Sequence, residues 1–176
     1  MRLTSRTLRL LAAAFLLLVS LPACSSSKKK ENWVHGFEPK TTALLQDGVA
    51  HPPKAVPLPV KRALWAGNRI VGKPYRRGGG HKSFEDTGYD CSGTVSYVLN
   101  KAGLLKAPET SGWFRNFGVP GKGKHITVYA KSGHVFIDIA GLRLDTGYNA
   151  RRGQGPRWSS KPRPLAGFVA RHPPGL

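Results

Sequence analysis

Apolar positions are unevenly distributed along the chain, and the pattern predicts where structure begins. An apolar run over residues 10–19 follows Arg2, Arg6 and Arg9 and is soon interrupted by Pro22. It is too short for a comfortable membrane span. A basic start followed by a short apolar stretch matches an export signal instead. Residues 25–60 are polar and then proline-rich, with a hint of order only at 41–50. Residues 24–60 are therefore read as a flexible tether, stiffened by prolines near its end. From residue 61 the apolar positions become periodic. Leu64, Trp65 and Val71 suggest an amphipathic helix over 61–71, ended by Gly72 and Pro74. Residues 74–90 form a glycine-rich loop. A second helix is expected over 91–103, where Cys91, Val95, Val98, Leu99 and Ala102 fall on one face. Residues 125–130, 134–140, 142–146 and 167–172 alternate as strands do, with glycines between them. Residues 113–124 and 147–164 read as loops. Helices followed by an antiparallel meander make the class α+β, in one domain over 61–176.

Charge narrows the partner. Of 176 residues, 28 are Lys or Arg and only 9 are Asp or Glu, a formal charge of +19. Removing residues 1–23 takes away three arginines and no acids, so the remainder stays strongly basic. This balance suits an anionic partner: nucleic acid, an acidic membrane surface or an acidic wall polymer. Behind an export signal, nucleic acid is the poorest fit.

The segment Leu-Pro-Ala-Cys at 21–24 ends the apolar region. A small residue before a cysteine resembles a bacterial lipobox, which implies lipidation of Cys24 and membrane anchoring. The alternative is an ordinary signal cleaved nearby. Ser25 after the cysteine implies the outer membrane if the organism has two. Lipidation of Cys24 would leave Cys91 without a disulfide partner.

Two tempting motifs fail. Residues 78–83 (GGGHKS) place His81 where a phosphate loop needs Gly, and a helix rather than a strand precedes them. There is neither a CxxC pair nor HExxH, so no metal or cofactor is expected.

Cys91 opens a helix, where the amide dipoles favour negative charge. A nucleophilic cysteine needs a nearby base, and histidine is the usual one. A small buried hydrophobe is the competing reading of Cys91. His35 and His51 fall in the tether; His81, His125, His134 and His172 are the other histidines. The hairpin around Ala140-Gly141 singles out His134. With a two-residue turn, Ile139 faces Leu142, Asp138 faces Arg143 and Phe136 faces Asp145. His134 and Asp145 then become diagonal neighbours on one face. A carboxylate there can fix the imidazole tautomer and stabilise its protonated form. Asp138, four residues along the strand at about 3.3 Å each, is too distant and more plausibly pairs with Arg143. The alternative for Asp145 is a carboxylate at a turn or rim.

GKPYRRGGG, then GYDCSGTVSYVLNKAGL, then SGHVFIDI resemble the NlpC-type papain-like cysteine peptidases of bacterial cell walls. The likeness spans 61 to about 146. It implies a papain-like α+β domain with N-terminal helices packed on a small antiparallel sheet. By this resemblance Cys91 is the nucleophile, His134 the base and Asp145 the orienting residue, a position commonly held by His. It also implies that Tyr75 lines the site near the oxyanion and that Asp90 helps bind the substrate amine. Arg77 stands where the family commonly has an aromatic, and GKHITVYAKSGH replaces the usual Gly-Asp-Leu-Val-Phe-Phe type of strand. The implied substrate is the peptidoglycan stem peptide, at the bond between γ-D-glutamate and meso-diaminopimelate. The enzyme would be monomeric and face the periplasm or cell-wall space, held to the membrane through Cys24. Two other functions are compatible with the same fold: a non-catalytic wall- or lipid-binding lipoprotein, and an acyltransferase or amidase acting on lipid.

Overall fold

A computed structural model describes residues 40–148 and 153–176. The export signal, Cys24 and His35 lie outside the described residues. Among the described residues, no helix is long and apolar enough to cross a membrane.

The segment expected to be tether is ordered from residue 40. Strands β1 (Leu44–Gln46) and β2 (Val49–His51) form a hairpin around Asp47 and Gly48, both with positive φ. Ala43 and Ala50 are buried. Two contacts tie this hairpin down. Ala43 N donates to Ala140 O at 2.8 Å. The Asn68 side chain accepts from Ala50 N and donates to Ala50 O, both at 2.9 Å. Short residues and tertiary hydrogen bonds, rather than a long apolar stripe, hold it.

Helix α1 (Leu58–Ile70) starts three residues before the periodicity indicates, because Pro59 fits a first turn whose N–H groups lack helical partners. Its buried stripe is Val60, Ala63, Leu64, Gly67 and Ile70. Trp65, expected on that face, is half exposed. The stripe mixes the bulky Val60, Leu64 and Ile70 with the small Ala63, Ala66 and Gly67, and Trp65 lies outside it. Gly67 is needed there: a Cβ would lie 2.2 Å from the Trp158 ring.

Helix α2 (Cys91–Lys101) is buried from Cys91 to Leu99. Asp90 caps it, accepting from Gly93 N at 2.7 Å. Gly103, at φ 78°, lets the chain leave its C-terminal end.

The main sheet has six strands: β3 (Val119–Pro120), β4 (Ile126–Lys131), β5 (His134–Ile139), β6 (Leu142–Asp145), β7 (Arg157–Ser159) and β8 (Val169–His172). Their spatial order is β3-β8-β4-β5-β6-β7, and every pairing is antiparallel. The meander therefore covers β4 to β7 only, and the last strand returns beside β4. Two expected loops contain structure: a 3-10 turn at Trp113–Asn116 with β3, and β7. Both strands are too short to show an alternation. The β5–β6 register is as expected, with Ile139 opposite Leu142 and Asp138 opposite Arg143. Ala140 (φ 48°) and Gly141 (φ 82°) make the two-residue turn that this register requires. Val135, Ile137 and Ile139 join Val95, Val98 and Leu99 of α2 in the core. His134 and Asp145 thus stand at one end of the sheet, near the start of α2.

Candidate active site

Cys91 is the first residue of α2 and is buried. The backbone around it is set by close approach. A Cβ on Gly93 would lie 1.9 Å from Gly79 O, so glycine is required for the 78–80 loop to rest on the first helical turn. Asp90 Oδ2 accepts from Gly78 N at 2.9 Å, while Oδ1 accepts from Gly93 N and Ser92 Oγ. His81 Nε2 lies 3.1 Å from both Asp90 Oδ1 and Ser92 Oγ. The glycine-rich loop is thus a brace for the helix that carries Cys91. Asp90, expected to bind a substrate amine, has both oxygens engaged by this brace. His81 joins this brace through Asp90 and Ser92, a role its position in GGGHKS did not disclose.

Tyr75 is 42% exposed and pairs with Tyr89 across a backbone bridge. Partial burial raises its pKa, and the nearby Cys91 and Asp90 charges raise it further. The tyrosine therefore lies at the mouth of the region around Cys91.

His134 stands at the first position of β5, with its ring between a thiol and a carboxylate. Nε2 lies 3.0 Å from Asp145 Oδ1. Cys91 lies close enough to the same ring to raise its pKa. Burial pushes the imidazole pKa down, but the hydrogen bonds and charges of Asp145 and Cys91 outweigh it and raise His134 to about 9. Asp145 is only 2% exposed. Its burial favours the protonated form. The His134 hydrogen bond, the Gly147 N–H at 2.9 Å, and the charges of His134 and Arg163 reverse that, and its pKa falls to about 2. Gly147 also leaves space for the ring: a Cβ there would sit 2.8 Å from His134 Cε1 and 2.9 Å from Nε2.

One member of the site escaped sequence reading. Arg163 Nη1 donates to Asp145 Oδ2 at 2.6 Å and lies 3.2 Å from His134 Nε2. Its guanidinium stacks within 4.9–5.0 Å of the rings of Phe136, Tyr148 and Phe168. Phe168 meets the His134 ring edge-on at 6.2 Å. Arg163 comes from a proline-flanked stretch with no local signal. The expected pair of Asp138 with Arg143 does not form. Although opposite in register, they make no ion pair within 4 Å, and Arg143 Nε lies 3.6 Å from Asp145 Oδ2. The buried carboxylate of Asp145 draws the arginine toward itself. His125 and His172 take no part: the His125 carbonyl accepts from Ala140 N, and His172 Nδ1 faces Gly121 O.

The α+β fold, two helices packed on an antiparallel sheet, is that of solved NlpC/p60 proteins. Among solved structures, the peptidoglycan hydrolase RipB from Mycobacterium tuberculosis is similar at a TM-score of 0.52 and 23% sequence identity, over 65% of this chain and 64% of RipB. RipD from the same organism, a non-catalytic NlpC/p60 domain protein with an adaptation to peptidoglycan binding, is similar at 0.49 and 20% identity, over 66% of this chain and 98% of RipD. An NlpC/p60 family protein from Bacillus cereus is similar at 0.49 and 19%, over 72% and 44% of the two chains. No family profile and no curated protein sequence matches the chain.

Proposed function

We propose that this protein is a cysteine peptidase that cleaves amide bonds in peptidoglycan stem peptides. The observation that carries the reading is the line Cys91–His134–Asp145, with its 3.0 Å imidazole–carboxylate hydrogen bond. Cys91 Sγ attacks the scissile carbonyl carbon and forms a thioester. His134 takes the thiol proton and returns it to the departing amine. Water, deprotonated by His134, then attacks the thioester and releases the acid and the free thiol. Asp145 acts through His134, fixing the ring with Nε2–H toward the carboxylate and stabilising the imidazolium. Tyr75 lies where it can contact the substrate beside Cys91, and Asp90 supports the helix start.

The fold shared with the hydrolase RipB supports a wall substrate. So does the basic composition, since stem peptides carry carboxylates. The bond between γ-D-glutamate and meso-diaminopimelate is the proposed target. Lipidation of Cys24 would hold the enzyme at the envelope membrane, beside that substrate.

The test is mass spectrometry of purified peptidoglycan after incubation with the full chain, beside Cys91→Ala and His134→Ala proteins. New stem-peptide fragments are expected with the unsubstituted protein and with neither variant. An unchanged digest from folded, unsubstituted protein overturns the reading.

A further inference from the structure

Asp145 serves two cations at once. Its Oδ1 lies 3.0 Å from His134 Nε2, and its Oδ2 accepts from Arg163 Nη1 at 2.6 Å. The same Nη1 is only 3.2 Å from His134 Nε2. An arginine has donors and no acceptor, and a protonated imidazole likewise. The ring and the guanidinium are therefore two like charges side by side on one carboxylate. Both partners are sheltered from water: the Asp145 side chain is 1% exposed and that of Arg163 11%. Screening is weak in such surroundings, so the second cation acts strongly on the first.

Arg163 is held in place by more than the carboxylate. Its guanidinium lies 4.9 Å from the Phe136 ring centre and 5.0 Å from those of Tyr148 and Phe168. Stacking of this kind suits a planar cation and keeps it from swinging into solvent. Asp145, in turn, does not rely on Arg163 for its position, because Gly147 N donates to Oδ1 at 2.9 Å. What Arg163 adds is charge. Other ionisable groups surround the ring on every side. Cys91 faces it from α2, and Lys131 stands opposite His134 in the β4–β5 register with Nζ over the Phe168 ring. Arg143 Nε lies 3.6 Å from Asp145 Oδ2, and Arg157 Nη1 donates to the Asp145 carbonyl at 3.3 Å. These cations address Asp145 or Phe168, whereas Arg163 brings a nitrogen to the imidazole itself.

A base held too tightly by its carboxylate takes a proton and keeps it. We propose that Arg163 is a positioning residue acting through Asp145, which divides the carboxylate's charge so that His134 can return the proton it takes from Cys91. Its use in catalysis rests on the peptidase reading, but its effect on the ring needs no substrate. Arg163 repels the imidazolium directly and draws on Oδ2, and both effects work against the protonated ring. A proton-transfer group works best when neither of its forms is strongly favoured at the working pH.

The test is NMR titration of the His134 ring in the full chain, its signal assigned by its loss in His134→Ala. Arg163→Met should raise the midpoint by about one pH unit, since a like charge leaves and Asp145 acts on the ring undivided. Because that partly buried change can also unfold the protein, two milder variants decide the matter. Arg163→Gln keeps an amide donor without the charge and should raise the midpoint as Met does. Arg163→Lys keeps the charge and should leave it near that of the unsubstituted protein. An arginine that only filled space would give no such division between Gln and Lys. In the proposed peptidase, the His134 limb of the kcat/KM–pH profile should move with the midpoint. An unchanged or lowered midpoint in Arg163→Gln overturns the proposal, and so does a Lys variant that shifts as far as Gln. The expected midpoints in a chain that cleaves no wall peptide would overturn the peptidase reading and still support the action of Arg163 on His134.

Discussion

At Gly147 the absence of a side chain does specific work. The site for a Cβ is 2.8–2.9 Å from the His134 ring, at the edge where Nε2 meets Asp145. Gly147→Ala must push the imidazole out of line or break the carboxylate contact. In the proposed peptidase this lowers kcat/KM by about 100-fold, as small misplacements of catalytic groups do. The circular dichroism spectrum should stay that of the unsubstituted protein. The His134 environment gives a second prediction at this scale. Its pKa is raised to about 9, above the ordinary imidazole value near 6.5. The protonated ring therefore stabilises the fold fully below about pH 6.5, and that contribution disappears as pH rises through about 9. NMR titration of the ring should find a midpoint near 9. Asp145→Asn should move it well down, since the negative charge is lost and only a neutral amide oxygen remains to accept. An unshifted midpoint in the variant would mean that Asp145 does not hold the proton on His134.

The elements explain which parts of the site the sequence made visible. Cys91, His134 and Asp145 were legible because local rules set their positions. The first comes from an N-capped helix, and the other two from a hairpin whose turn residues fix the register. Arg163 was not legible. It reaches Asp145 only because the chain after β7 folds back over the sheet, and no periodicity records that closure. The 40–51 hairpin was read as tether for a related reason: its anchor is the Asn68 side chain on another element. Asn68 also accepts from Trp158 Nε1 at 2.9 Å, so one amide joins β2, α1 and β7. Trp65 was misread because size suggested burial, whereas α1 turns Leu64 and Ile70 inward beside Ala63 and Gly67 and leaves Trp65 half exposed. That packing can be tested at Gly67. An added methyl meets the Trp158 ring at 2.2 Å, a ring also fixed by Asn68 and unable to move freely. Gly67→Ala should therefore destabilise the fold by about 1–3 kcal/mol, despite the better helix propensity of alanine. Urea unfolding measures the loss, and an increase in stability would show that α1 and β7 are not in close contact.

For the molecule as a whole, the formal charge of +19 acts over a longer range than any one contact. Much of it is carried by exposed lysines and arginines, such as Lys54, Lys82 and Lys106. These do not touch Cys91 or His134, so they affect encounter with substrate rather than bond breaking. A field of this kind concentrates an anionic polymer at the surface and is screened over about 8–10 Å at ordinary ionic strength. The buried pair His134–Asp145 is shielded from solvent and feels that screening far less. The two contributions should separate by substrate size. On intact, polyanionic cell wall, kcat/KM should fall several-fold between low salt and about 0.5 M NaCl. On a short stem peptide with few charges it should change much less, because the chemistry at Cys91 is unaltered. Equal salt sensitivity on both substrates would place the effect at the site itself. Insensitivity on the wall would mean that the basic surface serves some other partner, with the membrane beside the proposed Cys24 anchor the first to examine.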